Sequence, residues 1–225
     1  MIEYSFYFVC TPIGNLEDLS FRAKRILSTV DFILAEDTRK TRKILSHYGI
    51  DIPLKSYHDH NKVKVTPHII ELIKKGKRVA LVSDAGTPLV SDPGYYILRK
   101  LVENDISFTV IPGPTAITTA LVLSGMPSDR FAFLGYVPRK RGQRKKFLEE
   151  IREFRYTVIV FETPHRIEKT LSEIVEIMPD REIAIAREMT KLHEETIRGM
   201  AKEVLLRIQG KRIRGEITLV IRGSG

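Results

Sequence analysis

Residues 82–94 read VSDAGTPLVSDPG, a stretch with two aspartates, two glycines and two prolines and neither Lys nor Arg. A phosphate cradle needs backbone N–H groups, a helix N-terminus and usually a cation, and Asp84 and Asp92 would repel a phosphate. The chain has no G-x-x-x-x-G-K-[ST], and no G-x-G-x-x-G follows a strand-like run, which excludes the common nucleotide-phosphate loops. Accessible backbone beside carboxylates suits a ligand with positive charge and polar edges. The other reading is a plain turn whose aspartates cap helices. Two further stretches carry titratable groups: AEDTR (35–39) sets Glu36 and Asp37 beside Arg39, and YHDHN (57–61) offers His58, Asp59 and His60. An H-x-H pair alone supplies too few ligands for a metal. The carboxylates of AEDTR also suit the start of a helix, where the dipole favours negative charge.

These stretches share a position relative to the elements around them. YSFYFVC (4–10), FILA (32–35), RVALVS (78–83) and SFTVI (107–111) are apolar, β-branched runs that predict strands. Helical periods fill 20–28, 39–48, 66–75 and 95–104, with Thr66 expected as N-cap and Pro67 at the first helical position. This alternation implies an α/β fold with a mainly parallel sheet covered on both faces. IPGPTA (111–116) interrupts the pattern. The alternation then restarts, with helices expected at 116–124, 143–154, 166–178 and 201–208 and strands at 130–134, 157–161, 182–186 and 216–221. Two α/β domains, 1–112 and 113–225, with mainly parallel or mixed sheets and a ligand cleft between them, are the expected architecture. Ligands of open α/β sheets sit beyond the carboxyl ends of strands, where the three stretches above fall.

The bulk composition narrows the setting. The 225 residues include 37 Lys and Arg against 28 Asp and Glu, a net charge of +9 that favours polyanionic partners. Cys10 is the single cysteine, which excludes internal disulfides and cysteine-cluster metal sites. The N-terminus reads as a first strand and no apolar run is long enough to span a bilayer, so a cytoplasmic location is expected. PRKRGQRKK (138–146) places six positive charges in nine residues. Such a run is either solvated surface or a polyanion contact. The acidic loop at 82–94, for its part, fits S-adenosylmethionine, whose sulfonium, ammonium and ribose hydroxyls combine positive charge with polar edges.

TPIGNLEDLSFRA, AEDTRKT, YHDHN, VSDAGTPLVSDPG, PGPTAITTAL, GMPSDRFAFLGYVPRK, ETPHR, REMTK and RGEITLVI occur in that order between about residues 8 and 222. As an ordered series they resemble the ribosomal RNA small-subunit methyltransferase I family of the tetrapyrrole methylase superfamily. The resemblance implies a homodimeric two-domain methylase that binds S-adenosylmethionine and methylates the 2′-oxygen of a cytidine ribose in the decoding region of 16S rRNA, in free rRNA or the 30S subunit. It implies cofactor contacts at Asp84, Ala85, Gly86, Thr87, Leu89, Thr115, Ala116, Phe161, Glu162, Arg187, Met189 and Thr218. Lys62 stands where the family usually has a glutamate after HDHN, and many members extend beyond the last strand matched here.

A ribose hydroxyl needs its proton removed to attack, so a base belongs near the cofactor. Glu36, Asp37 and His58 are the candidates, and no metal is expected. Arg39, Arg139, Lys140, Arg141, Arg144, Lys145 and Lys146 are the expected RNA contacts. Two alternatives stay open: methylation of a tetrapyrrole or a translation-factor histidine, which would leave the 138–146 run without a role, and a non-catalytic RNA-binding protein, which would have no need of Asp84 and Gly86.

Overall fold

A computed structural model describes residues 4–225. The chain forms two compact units, Met1–Thr115 and Ala116–Gly225.

The first unit alternates strand and helix throughout: β1 (Phe6–Val9), α1 (Phe21–Leu27), β2 (Phe32–Ala35), α2 (Thr38–His47), β3 (Leu54–Ser56), α3 (Lys62–Lys74), β4 (Val79–Val82), α4 (Tyr95–Glu103) and β5 (Phe108–Ile111). Its sheet has the order β3-β2-β4-β1-β5, and every pairing is parallel. Successive side chains of a strand point to opposite faces. Accordingly Tyr7 and Val9 join Ala23, Leu27 and Leu45 from α1 and α2, whereas Phe6 and Phe8 join Ile69, Ile73, Ile97 and Leu101 from α3 and α4. Helices on both faces explain why β1, β2 and β4 are apolar at every position.

The second unit comprises α5 (Ala116–Ser124), β6 (Phe131–Tyr136), α6 (Arg141–Arg152), β7 (Thr157–Glu162), α7 (Ile167–Ile177), β8 (Glu182–Arg187), β9 (Glu195–Met200), α8 (Ala201–Ile208) and β10 (Ile217–Ile221). Its sheet order is β6-β7-β10-β8-β9; β6 and β7 are parallel and the other pairs antiparallel. One core of Leu148, Ile151, Val160, Leu171, Ile174, Ile185, Val204 and Leu219 joins this sheet to α6, α7 and α8. The fold is thus α/β, with one parallel and one mixed sheet.

Three local expectations need correction. Helix α3 begins at Lys62, not Thr66, and Pro67 lies inside it. The Thr66 hydroxyl donates to the Lys62 carbonyl at 2.6 Å, so it is a side chain bonded back one turn and not an N-cap. β3 and β9 were not anticipated; both are edge strands, and neither LKS nor ETIRGM is an apolar run. Helix α6 starts at Arg141, two residues earlier than expected, and so takes in most of the basic run.

Candidate functional site

In the first unit, three neighbouring strands deliver the chemistry. Glu36 and Asp37 follow β2, His58 lies two residues beyond β3, and Asp84 lies two beyond β4. One Asp84 carboxylate oxygen accepts the Asp37 N–H at 3.1 Å, and the other accepts the Lys40 ammonium at 2.8 Å. The loop after β4 is pinned to the loop after β1: Thr11 N–H donates to the Gly86 carbonyl at 2.9 Å and Gly86 N–H to the Thr11 carbonyl at 3.0 Å. The Ser83 hydroxyl adds a bond to the Gly86 carbonyl at 2.8 Å. Gly86 has φ +80°, and a Cβ there would sit 3.3 Å from Ile13 Cγ2. Leu89 (φ 72°) and Ser91 (φ 64°) occupy the same left-handed region, which side chains disfavour. Thr87 receives the Cys10 thiol at 3.5 Å.

The electrostatics separate the carboxylates. Asp37 caps α2, accepting the Arg39 N–H at 2.9 Å, and takes both Arg39 Nε (3.0 Å) and an Arg39 terminal nitrogen (2.9 Å). Hydrogen bonds from the Arg39 side chain and backbone hold its pKa down to about 2. A carboxylate so held is a weak base, and the capping role displaces the catalytic one expected for it. Glu36 is exposed but shifted the other way, raised first by partial desolvation and then by the charges of Asp84 and Asp59. His58 donates its backbone N–H to the Asn61 side chain at 2.9 Å, and its ring Nδ1 is buried without a hydrogen-bond partner.

Asp92, which is not among the contacts the resemblance implies, belongs to this group. Its carboxyl is pushed up to about 7, by burial first and then by Glu36 and Asp84. Gly94 (φ +141°) begins α4 so close to Leu89 that a Cβ would lie 2.9 Å from Leu89 Cδ1, which fixes the loop on either side of Asp92. The signal available beforehand was two aspartates on one turn-rich loop, without a cation between them.

The raised Asp92 carboxyl ties folding stability to pH. The folded chain retains a proton that the unfolded chain releases between its ordinary value of 3.8 and about 7, so stability falls as pH rises through that window. Asp92→Asn should melt a few degrees higher than wild type at pH 8 and alike at pH 3.5. A wild-type advantage at pH 8 would mean that Asp92 is held by a favourable partner.

In the second unit, Thr218 of β10 lies opposite Phe161 of β7, and Ile217 lies opposite Arg187 of β8. The Phe161 ring meets Phe133 and Tyr136, with centroids at 4.8 and 5.4 Å. Met189 is buried, and Arg187 Nε donates to Glu195 at 2.6 Å. The Glu162 side chain is fully buried: it takes the Thr170 hydroxyl at 2.6 Å, the Thr163 N–H at 2.7 Å and Arg166 at 2.5 Å. Its carboxylate is thereby occupied, leaving main chain as its means of touching a ligand. Thr115 ends the first unit, and Ala116 begins the second and opens α5.

The basic run divides by exposure. Arg139, Lys140, Arg141, Lys145 and Lys146 are exposed, as is Arg39 in the first unit. Arg144 is the exception, 6% exposed and bonded to Glu173 through Nε (2.8 Å) and a terminal nitrogen (2.7 Å). That geometry withdraws it from the expected RNA contacts. Among the described residues, no group of three or more His, Cys, Asp and Glu side chains is arranged to hold a metal, and no helix is long and apolar enough to cross a membrane.

Residues 5–205 match the family model described as Tetrapyrrole (Corrin/Porphyrin) Methylases. Solved structures agree in fold: uroporphyrin-III-C-methyltransferase from Thermus thermophilus (TM-score 0.67, 19% identity, 97% of this chain and 94% of that one) and a cobalamin biosynthetic enzyme, cobalt precorrin-4 methyltransferase (TM-score 0.70, 14% identity, 96% and 94%). Curated proteins named ribosomal RNA small subunit methyltransferase I are much more similar in sequence. That of Bacillus subtilis is 48% identical over 97% of this chain and 75% of its own length. Its Thermotoga maritima counterpart is 45% identical over 96% of this chain and 97% of its own. The chain belongs to the tetrapyrrole methylase superfamily and, within it, to the ribosomal RNA small subunit methyltransferase I family.

Proposed function

We propose that this protein transfers a methyl group from S-adenosylmethionine to the 2′-oxygen of a cytidine ribose in the decoding region of small-subunit rRNA, acting in the cytoplasm as a homodimer. The observation that carries this reading is identity of 45–48% over nearly the whole chain to proteins named for rRNA small-subunit methylation. An exposed basic helix start at 139–141 and an acidic, glycine-bearing loop at 84–89 supply the two kinds of surface such a reaction needs.

The donor set of the first unit fits the cofactor: carboxylates for a cation, and a Gly86 backbone whose side a Cβ would crowd. S-adenosylmethionine would supply the methyl group. Asp84, oriented by the Asp37 N–H and by Lys40, would face its positive charge, and the main chain of Ala85, Gly86, Thr87 and Leu89 would take its polar edges. Thr115, Ala116, Phe161, Arg187, Met189 and Thr218, with the main chain of Glu162, complete the proposed contacts on the family's pattern. Glu36, raised by partial desolvation and by neighbouring carboxylates, would accept the hydroxyl proton, with His58 as the second candidate. Arg39, Arg139, Lys140, Arg141, Lys145 and Lys146 would meet phosphates, which gives affinity without selecting a base.

Incubating the protein with methyl-labelled S-adenosylmethionine and 30S subunits that lack the modification tests this directly. Label should appear on a cytidine ribose of the decoding region. Label on a base, on a ribosomal protein, or only on an added tetrapyrrole would overturn it.

A further inference from the structure

Arg144 sits in the middle of the basic run yet spends every arm of its guanidinium inside the protein. Two nitrogens form a fork on Glu173, whose side chain is 12% exposed, and the third donates to the Arg139 carbonyl at 3.2 Å. A second arginine repeats the arrangement two residues earlier on the same loop. Arg166 forms an ion pair with buried Glu162 at 2.5 Å, donates through Nε to the Thr163 hydroxyl at 2.9 Å, and donates to the Val137 carbonyl at 3.1 Å. Val137 and Arg139 flank Pro138, which has no N–H to donate. The strand-exit segment 137–139 is therefore held from beneath by two arginines, each anchored on a buried carboxylate; the exposed Arg141 also approaches Glu173, its Nε lying 3.9 Å away.

We propose that Arg144 and Arg166 are positioning residues for polyanion recognition: by fixing the main chain of 137–139 they present the exposed Arg139, Lys140 and Arg141 to the rRNA backbone as a preset loop. This rests on the rRNA reading above. Stability alone is a poor reason for the pairs, because burying an ion pair costs desolvation that apolar side chains of similar size avoid. What apolar side chains could not do is bond the two loop carbonyls. The gain lies in binding: long cationic side chains on a mobile loop lose conformational freedom on docking, and a fixed backbone removes part of that cost. Helix α6 starts at Arg141 with no side-chain cap on its first turn, so the held segment also directs the open helix N-terminus toward the same ligand.

Glu173→Gln separates this role from simple electrostatics. It removes a negative charge, taking the formal net charge from +9 to +10, so attraction alone predicts tighter binding of unmodified 30S subunits. Positioning predicts the reverse: about five- to tenfold weaker binding, with the slope of log affinity against log salt unchanged. Lys140→Gln is the contrast, since exposed Lys140 takes no part in the Glu173 pairs, and it is expected to lower that slope by about 0.7–0.9, as loss of one phosphate contact does. The double variant Arg144→Met/Glu173→Leu keeps the net charge and replaces the pair with apolar volume. It should fold, bind S-adenosylmethionine like wild type and show the same weakening, and it carries the test if Glu173→Gln does not fold. Unchanged or tighter binding by either variant, a reduced slope like that of Lys140→Gln, or a parallel loss of cofactor affinity would overturn the proposal. Absence of salt-dependent 30S binding by wild type would instead overturn the rRNA reading on which it stands.

Discussion

Asp84→Asn is expected to weaken S-adenosylmethionine binding about 100-fold while leaving the melting temperature within a few degrees of wild type. The substitution keeps the shape of the side chain and one carbonyl oxygen to accept the Asp37 N–H, so the loop after β4 retains its bridge to Thr11 and its turn at Gly86. What it removes is the charge proposed to face the cationic ligand. A hydrogen bond to a charged group contributes about 1.5–3 kcal/mol, and the upper part of that range corresponds to roughly a 100-fold change in dissociation constant. Lys40 sharpens the experiment, because it already forms an ion pair with Asp84 at 2.8 Å and competes with any positive ligand for it. Lys40→Met should therefore tighten cofactor binding, opposite in sign to Asp84→Asn. Titration calorimetry on the two variants gives the answer. An unchanged dissociation constant for Asp84→Asn would take this loop out of the cofactor site.

The parts of this architecture that could be read beforehand are those whose burial writes itself into composition. β1, β2 and β4 bury both faces, so FYFV, FILA and VALV stand out as unbroken apolar runs. β3 and β9 lie at sheet edges, where half the side chains meet solvent, and their sequences resemble loops. Thr66-Pro67 carried the composition of a helix start, but the Thr66 hydroxyl answers to Lys62 one turn before it. Arg144 was hidden for a different reason. Composition treats the six cations of 138–146 alike, whereas helical period places Arg144 with Leu148 and Ile151 on the buried face of α6. Glu36, Asp37, His58 and Asp84 were visible as chemistry at strand exits. Their division of labour was not, because it depends on which carboxylate caps a helix and which is crowded by others.

That division makes Glu36→Gln the second large effect: kcat should fall by about 10²- to 10³-fold, the usual contribution of a positioned general base, with little change in cofactor affinity. Asp37 is held at about 2 by Arg39 and by the start of α2, so Asp37→Asn should leave turnover nearly intact. Glu36 is pushed upward by partial desolvation and by Asp84 and Asp59, and it in turn helps to push Asp92 up to about 7. Coupled carboxylates lose their protons as a set, and the apparent values belong to the set. A base must be ionised to act, so wild-type kcat should climb with pH as Glu36 deprotonates, above the ordinary glutamate range, and then level off. With Glu36 replaced, the residual rate should lose that dependence. Single-turnover rates on 30S subunits from pH 5.5 to 8.5 would measure both effects. Retention of the wild-type rate within about threefold by Glu36→Gln would remove it as the base. His58→Ala would then be the decisive variant, since the ring of His58 holds a buried Nδ1 with no other hydrogen-bond partner.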